Sequence, residues 1–257
     1  MHACDTCDCA VPMYNSCRNR HCPNCQSLKQ RKWLERRRET ILPVPYFHVV
    51  FTLPAELRPV AMLHREQVFG MLFKAASTTL ATLAKDPKRL GAVPAITMVL
   101  HTWTRDLTFH PHVHAIVSAG GLTSEGAWRD SRKQYLFSVK VMARLFRRLF
   151  RDLLLAAIDA GEIIVPDNVS APMRRALFET KWVVYAKAPF GGAEQVYSYL
   201  GRYTHRVGIS NARILMDERG VTFATKDGDT CTLLPVDFLR RLLLHVVRRF
   251  TCSRTLR

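Results

Sequence analysis

The chain has 257 residues, 48% of them hydrophobic, which is enough for one catalytic domain plus a small module and excludes global disorder. Lys and Arg total 38 against 21 acidic residues, a formal net charge of +17 that suits a polyanionic partner, nucleic acid ahead of an anionic membrane surface. No run of about 18 uncharged apolar residues occurs, and Met1 to Asp5 has no signal-peptide core, so no membrane span and a reducing cytoplasm are expected.

In chain order, residues 1–27 hold six of the eight cysteines and few core-forming aliphatics. Crowded cysteines in a cytoplasmic chain point to metal rather than disulfides. Cys4-x2-Cys7 and Cys22-x2-Cys25 form two knuckles fourteen residues apart, close to a zinc-ribbon pattern, and supply four soft ligands for a tetrahedral structural zinc. Cys9, Cys17 and His21 could each replace one of them. Such a site would supply folding energy to a segment too small for a core. Residues 28–44 read as a basic helical linker, either a solvated face or a DNA contact.

Residues 45–53 (PYFHVVFTL) predict a buried strand, and 55–84 carry helical apolar spacing. Strands are expected at 95–104 and 112–118, joined by a turn at Arg105-Asp106-Leu107 and antiparallel to each other. A long basic amphipathic helix is expected over 138–160, a strand over 181–187 and a helix over 194–206. A hairpin over 214–225 turning at Glu218-Arg219-Gly220 follows, then a helix over 238–249. The order implies an α+β fold, a mainly antiparallel sheet with helices packed on it.

Two constellations carry chemistry. In Phe109-His110-Pro111-His112-Val113-His114, strand alternation puts His112 and His114 on one face, Cβ atoms roughly 6–7 Å apart, so two imidazoles can converge on one ion. A pair of solvated or core histidines is the competing reading. Tyr199 and Tyr203 stand at i and i+4 and face the same way on a helix, which by itself fits ordinary packing. Arg202, His205 and Arg206 beside them make an odd core and a reasonable place for a backbone phosphate. Tyrosine, with a free pKa of about 10, needs a nearby cation to become a competent nucleophile.

Five stretches in order resemble the IS91 family of insertion-sequence transposases, which belong to the HUH superfamily (His–hydrophobe–His). They are Asn15 to Cys25, Tyr46 to Pro54, Leu100 to Trp103, His110 to His114, and Tyr199-Leu200-Gly201-Arg202-Tyr203-Thr204-His205-Arg206. The resemblance implies a zinc-binding amino-terminal domain (1–27) and a ferredoxin-like catalytic domain (45–247). It implies Mg²⁺ or Mn²⁺ on His112 and His114. The motif does not fix the third ligand; Gln195, one helical turn before Tyr199, is assigned beside His110 and His101. It further implies that Tyr199 and Tyr203 nick and rejoin single-stranded DNA through a 5′-phosphotyrosine link in rolling-circle transposition, with Arg202, His205 and Arg206 on the DNA. A rolling-circle replication initiator or relaxase shares the two motifs. A non-catalytic zinc-dependent DNA-binding remnant is the reading from another class. The tail 248–257 departs from the family pattern and fewer residues than usual precede the first knuckle, so a truncated copy is an expectation as well.

Overall fold

The computed structural model describes residues 2–3, 10–11, 31–36, 39–132, 136–190, 195, 209, 213–217, 220–225, 228–244 and 253–256. The catalytic-sized part of the chain is built on one sheet. β3 (Tyr46–Thr52), β4 (Ile96–Trp103), β5 (Phe109–Ser118), β8 (Val184–Phe190) and β12 (Ser253–Leu256) pair in the order β12-β4-β5-β3-β8, every neighbour antiparallel. β1 (His2–Ala3) and β2 (Ala10–Val11) make a two-residue antiparallel pair in the cysteine-rich segment. β6 (Gly120–Leu122) and β7 (Trp128–Asp130) form a short hairpin.

Six α-helices are described, besides a 3₁₀ turn at Ala55–Leu57. They are α1 (residues 31–36), α2 (Arg58–Leu63), α3 (Arg65–Lys85), α4 (Val139–Asp159), α5 (Asp167–Phe178) and α6 (Pro235–Leu244). Chain order β3-α3-β4-β5-α4-β8 with sheet order β4-β5-β3-β8 is the ferredoxin-like βαββαβ arrangement, and β12 adds an edge strand beside β4. The fold is therefore α+β with a mainly antiparallel sheet, as the sequence implies. None of these helices is long and apolar enough to cross a membrane.

Both long helices pack on one face of the sheet because each carries a single apolar stripe. In α3 the buried positions include Val68, Phe69, Leu72, Phe73, Ala76, Leu80 and Leu83; in α4 they are Met142, Phe146, Phe150, Leu154 and Ala157. They meet the odd-numbered side of β5 (Val113, Ala115, Val117), with Phe47, Val49 and Phe51 of β3 and Met98 and Leu100 of β4. Phe146 lies edge-on to Phe51 at 5.0 Å and to Trp182 at 5.1 Å between ring centroids. Trp182 Nε1 donates to Ala176 O at 2.8 Å and so ties α5 to the same core. Among the described residues, one end of the opposite face of the sheet is covered. There Trp33 and Leu34 of α1, with Ile41 and Val44, pack on Tyr46, Val99 and Ile116. The basic linker thus has an apolar side that seats it on the sheet.

A second, smaller core sits at the β4–β5 turn. β9 (Ile214–Asp217), β10 (Gly220–Ala224) and β11 (Thr230–Leu233) form a three-stranded antiparallel sheet backed by α6. The expected hairpin is present; Gly220, the first residue of β10 and paired with Asp217, has φ 140°, and a Cβ there would lie 2.5 Å from Leu233 O. Leu107, from the turn between β4 and β5, is fully buried among Ile209, Val221, Phe223 and Phe238. It is the sole non-glycine residue at positive φ among the described residues (60°), a conformation that costs roughly 1–3 kcal/mol. Asp106 helps hold the turn by accepting from Thr104 Oγ1 and, at 2.7 Å, from Thr108 Oγ1. Arg213 Nη2 and Arg241 Nη1 donate to the turn carbonyls of Arg105 and Asp106 at 2.8 and 3.1 Å.

Leu107→Ala removes the side chain that joins the two cores. It is expected to lower stability by about 2–5 kcal/mol, read from denaturant unfolding of the full chain. A change below about 0.5 kcal/mol would mean that the turn does not plug the smaller core.

Candidate metal centre

The even-numbered side of β5 faces away from the long helices and carries His110, His112 and His114. Antiparallel register then aligns the neighbours. His112 lies opposite His101 of β4 and Thr52 of β3, and His114 lies opposite Val99 and Val50. Opposed residues in antiparallel strands share a face, so His101 joins the pair from the next strand. The register between β4 and β5 shifts between His101 and Trp103. Pro111, which has no N–H to give the ladder, sits in β5 at that irregularity, where such a residue is tolerated.

The result is a three-histidine cluster. One ligand nitrogen from each of His101, His112 and His114 lies within 4.8 Å of the others. Ring centroids are 5.3 Å apart for His101–His112, 4.3 Å for His101–His114 and 4.9 Å for His112–His114. His101 is buried and stacks on Trp103 at 5.4 Å; the other two are half-buried.

Neighbouring groups decide which nitrogen each ring presents. His112 Nδ1 lies 2.7 Å from His110 O, and a carbonyl only accepts, so Nδ1 carries the proton and Nε2 keeps its lone pair. His114 Nδ1 is engaged at 2.8 Å by His48 Nε2, leaving its own Nε2 for the cluster. His110 is turned aside, its Nδ1 accepting from Arg58 Nη2 at 2.9 Å. His48, His112 and His114 are neutral at physiological pH. Burial lowers His112 to about 4, and burial together with Lys187 and His112 lowers His48 to about 4. His114 is pushed well below the usual histidine range by burial and by the neighbouring histidines His101, His112 and His48.

Three imidazoles aimed at one point fit a first-row divalent ion better than Mg²⁺, which prefers oxygen ligands and keeps its waters. An ion there would keep its full charge, since imidazole brings none, and three donors leave positions open for phosphate or water oxygens. His101 was one of three candidates for the third ligand from sequence, and the strand register selects it as the partner of His112. Gln195 is exposed at a helical position. His48 and Arg58 had no sequence signal, because their roles depend on cross-strand and helix-to-strand contacts 66 and 52 residues apart. Tyr199, Tyr203, Arg202, His205 and Arg206 lie outside the described residues, as do Cys4, Cys7, Cys22 and Cys25.

Comparison with known proteins bears on this face. Residues 95–255, well over half of the chain, match a family described as "Putative transposase", and residues 1–53 match the transposase zinc-binding domain of IS91-type elements. The chain belongs to the IS91 transposase family. A Sinorhizobium fredii protein, y4qJ, with the same transposase description is 44% identical over 96% of this chain and 66% of its own length. The transposase for insertion sequence element IS801 of Pseudomonas savastanoi pv. phaseolicola is 31% identical over 90% of this chain and 58% of its own. The chain therefore spans about three-fifths to two-thirds of these transposases.

Among solved structures, the conjugative relaxase TrwC in complex with mutant oriT DNA matches at TM-score 0.29 and 15% identity, over 49% of this chain and 53% of its own. TrwC complexed with a 27-mer DNA comprising the recognition hairpin and the cleavage site matches at 0.33 and 12%, over 79% and 67%. Scores this low carry no argument, and the fold of this transposase rests on its own strand order.

Two outcomes test the centre. In an NMR titration of the metal-free site, the rings of His48 and His112 should stay neutral down to pH 5 and protonate only near pH 4; a midpoint near 6.5 for either would contradict their burial. In Mn²⁺ binding followed by electron paramagnetic resonance, His101→Ala should weaken affinity at least about tenfold, and His110→Ala should leave it within about threefold. Equal losses would put His110 in the ligand set.

Proposed function

We propose that this chain nicks and rejoins single-stranded DNA by tyrosine transesterification during rolling-circle transposition. The observation that carries the reading is the cluster of His101, His112 and His114 on the face of the sheet turned away from α3 and α4 in an IS91-family chain. The net charge of +17 supports a DNA partner, since phosphate neutralisation by Lys and Arg dominates such binding.

In this reading His101, His112 and His114 would hold the divalent ion, Mn²⁺ suiting three imidazoles better than the Mg²⁺ also expected from sequence, with His101 taking the place assigned to Gln195. When bound, the ion polarises the scissile phosphate and offsets the charge that develops on it. Tyr199 or Tyr203 attacks phosphorus with its phenolic oxygen; the bond from phosphorus to the 3′-oxygen breaks, and that oxygen takes a proton to leave as a 3′-hydroxyl. The 5′-phosphate remains esterified to the tyrosine, which conserves the bond energy for rejoining. Two tyrosines let one hold a DNA end while the other cuts or rejoins. Arg202, His205 and Arg206 neutralise backbone phosphate near the cut. Cys4, Cys7, Cys22 and Cys25 hold a structural zinc in a module spanning 1–27, with 28–44 as linker and 45–247 as the catalytic domain.

The chain geometry supports placing the tyrosines near the histidines. The segment that contains them leaves β8, a neighbour of β3 in the main sheet, and is followed by Ile209, which packs on Leu107 at the end of the β4–β5 hairpin. Both ends of the segment are thus tied to the sheet that carries the cluster.

The test is a denaturing gel of the protein with radiolabelled single-stranded DNA bearing an element end, plus Mg²⁺ or Mn²⁺. A covalent adduct should form, persist in part in Tyr199→Phe and in Tyr203→Phe, and vanish in the double variant and in His112→Ala/His114→Ala. An adduct surviving the double Phe change would move the nucleophile to Tyr197 or Tyr185. No adduct from folded wild type would favour a DNA-binding protein without catalysis.

A further inference from the structure

Around the histidine cluster, one buried titratable side chain is left without a role in the proposed reaction. His48 stands on β3, opposite Ile116 of β5 and Lys187 of β8. That register makes His114 its diagonal neighbour, two residues along β5 on the same face of the sheet, within reach of a long or ring-bearing side chain. The contact is specific in geometry. His48 Nε2 and His114 Nδ1 are 2.8 Å apart, the ring planes differ by 3° and the centroids are 5.1 Å apart. A 2.8 Å approach is too short for stacked planes, so the rings meet edge to edge in a common plane, which is the alignment of an N–H···N hydrogen bond.

We propose that His48 is a positioning residue for His114: its Nε2 accepts from His114 Nδ1–H, which fixes the tautomer and aims His114 Nε2 into the cluster formed with His101 and His112. The proposal rests on the reading of His114 as a metal ligand. Only one direction of the bond serves it. If His48 donated, His114 would carry its proton on Nε2 and could not ligate; with His48 accepting, the lone pair of His114 Nε2 is available. His112 follows the same pattern, with the His110 carbonyl in the accepting role. Ligand histidines commonly lean on a carboxylate or a carbonyl. A neutral imidazole orients the ligand as a carboxylate would, but adds no negative charge to the site. An ion held there would present more of its positive charge to phosphate.

The experiment uses the zinc-loaded full chain, with Mn²⁺ as probe. His48→Phe keeps a flat ring without an acceptor and should weaken Mn²⁺ binding, read by electron paramagnetic resonance, by about tenfold or more. His48→Gln retains an accepting oxygen and should recover affinity to within about threefold of wild type. Nitrogen-15 NMR of the histidine rings should place the His114 proton on Nδ1 in wild type, with or without Mn²⁺, and this preference should be lost in His48→Phe. Unchanged affinity in the Phe variant, equal losses in Phe and Gln, or a wild-type His114 protonated on Nε2 would each overturn the role of His48. Failure of wild type to bind Mn²⁺ would overturn the metal reading of the cluster itself, and with it this role.

Discussion

The register of β5 between β3 and β4 is the constraint on which the remaining features depend. Side chains alternate with a period of two, so Val113, Ala115 and Val117 enter the helix-packed core while His112 and His114 emerge on the other side. A slip of one residue would drive both imidazoles into the layer of Phe51, Phe69 and Phe146 and expose the valines. The apolar demand of α3 and α4 therefore fixes the polar face without contacting it. The same register places His101 opposite His112 and brings His48 diagonally to His114. The histidine cluster is a by-product of correct core packing, which gives it a rigid platform on strands rather than loops.

The chemistry of that centre follows from what it lacks as much as from what it holds. Imidazole donors would bring no negative charge to an ion held there, whereas a carboxylate site would partly cancel it. In the proposed reaction a polyanionic backbone would supply the missing negative charge, so affinity for the ion and affinity for DNA would reinforce each other. The excess of Lys and Arg over the chain points in the same direction at longer range.

Much of the sheet was legible in the sequence because its strands are dense in β-branched and aromatic residues and its long helices keep one apolar stripe. The expected positions of β3, β4, β5 and α4 agree with those observed to within three residues at each end, while the helical stretch expected over 55–84 is divided at His64 into α2 and α3. Other elements gave weaker signals. α5 begins after Pro166 and contains Pro172, which reads as a break. β11 and the β6–β7 hairpin are three or four residues each, too short for a period to register. In the site, His112 and His114 announce themselves by spacing within one strand. His101 could be narrowed only to a candidate, and His48 could not be seen, because both depend on which strands pair and in what register. That information is long-range, and no local pattern encodes it.

Leu107 alters what the β4–β5 connection can tolerate. A hairpin tip is ordinarily where a chain accepts extra residues, since the tip points into solvent and its ends are held by the strands. Here the tip is the keystone between two cores: its backbone is held left-handed and its side chain fills the space between β10 and α6. Lengthening the turn would withdraw that side chain and separate the small sheet from the strands bearing the histidines. Sequence drift and engineered insertions alike should spare this loop, while the exposed turn at Gly126, where a Cβ would meet nothing within 4 Å, is free of that restriction on length.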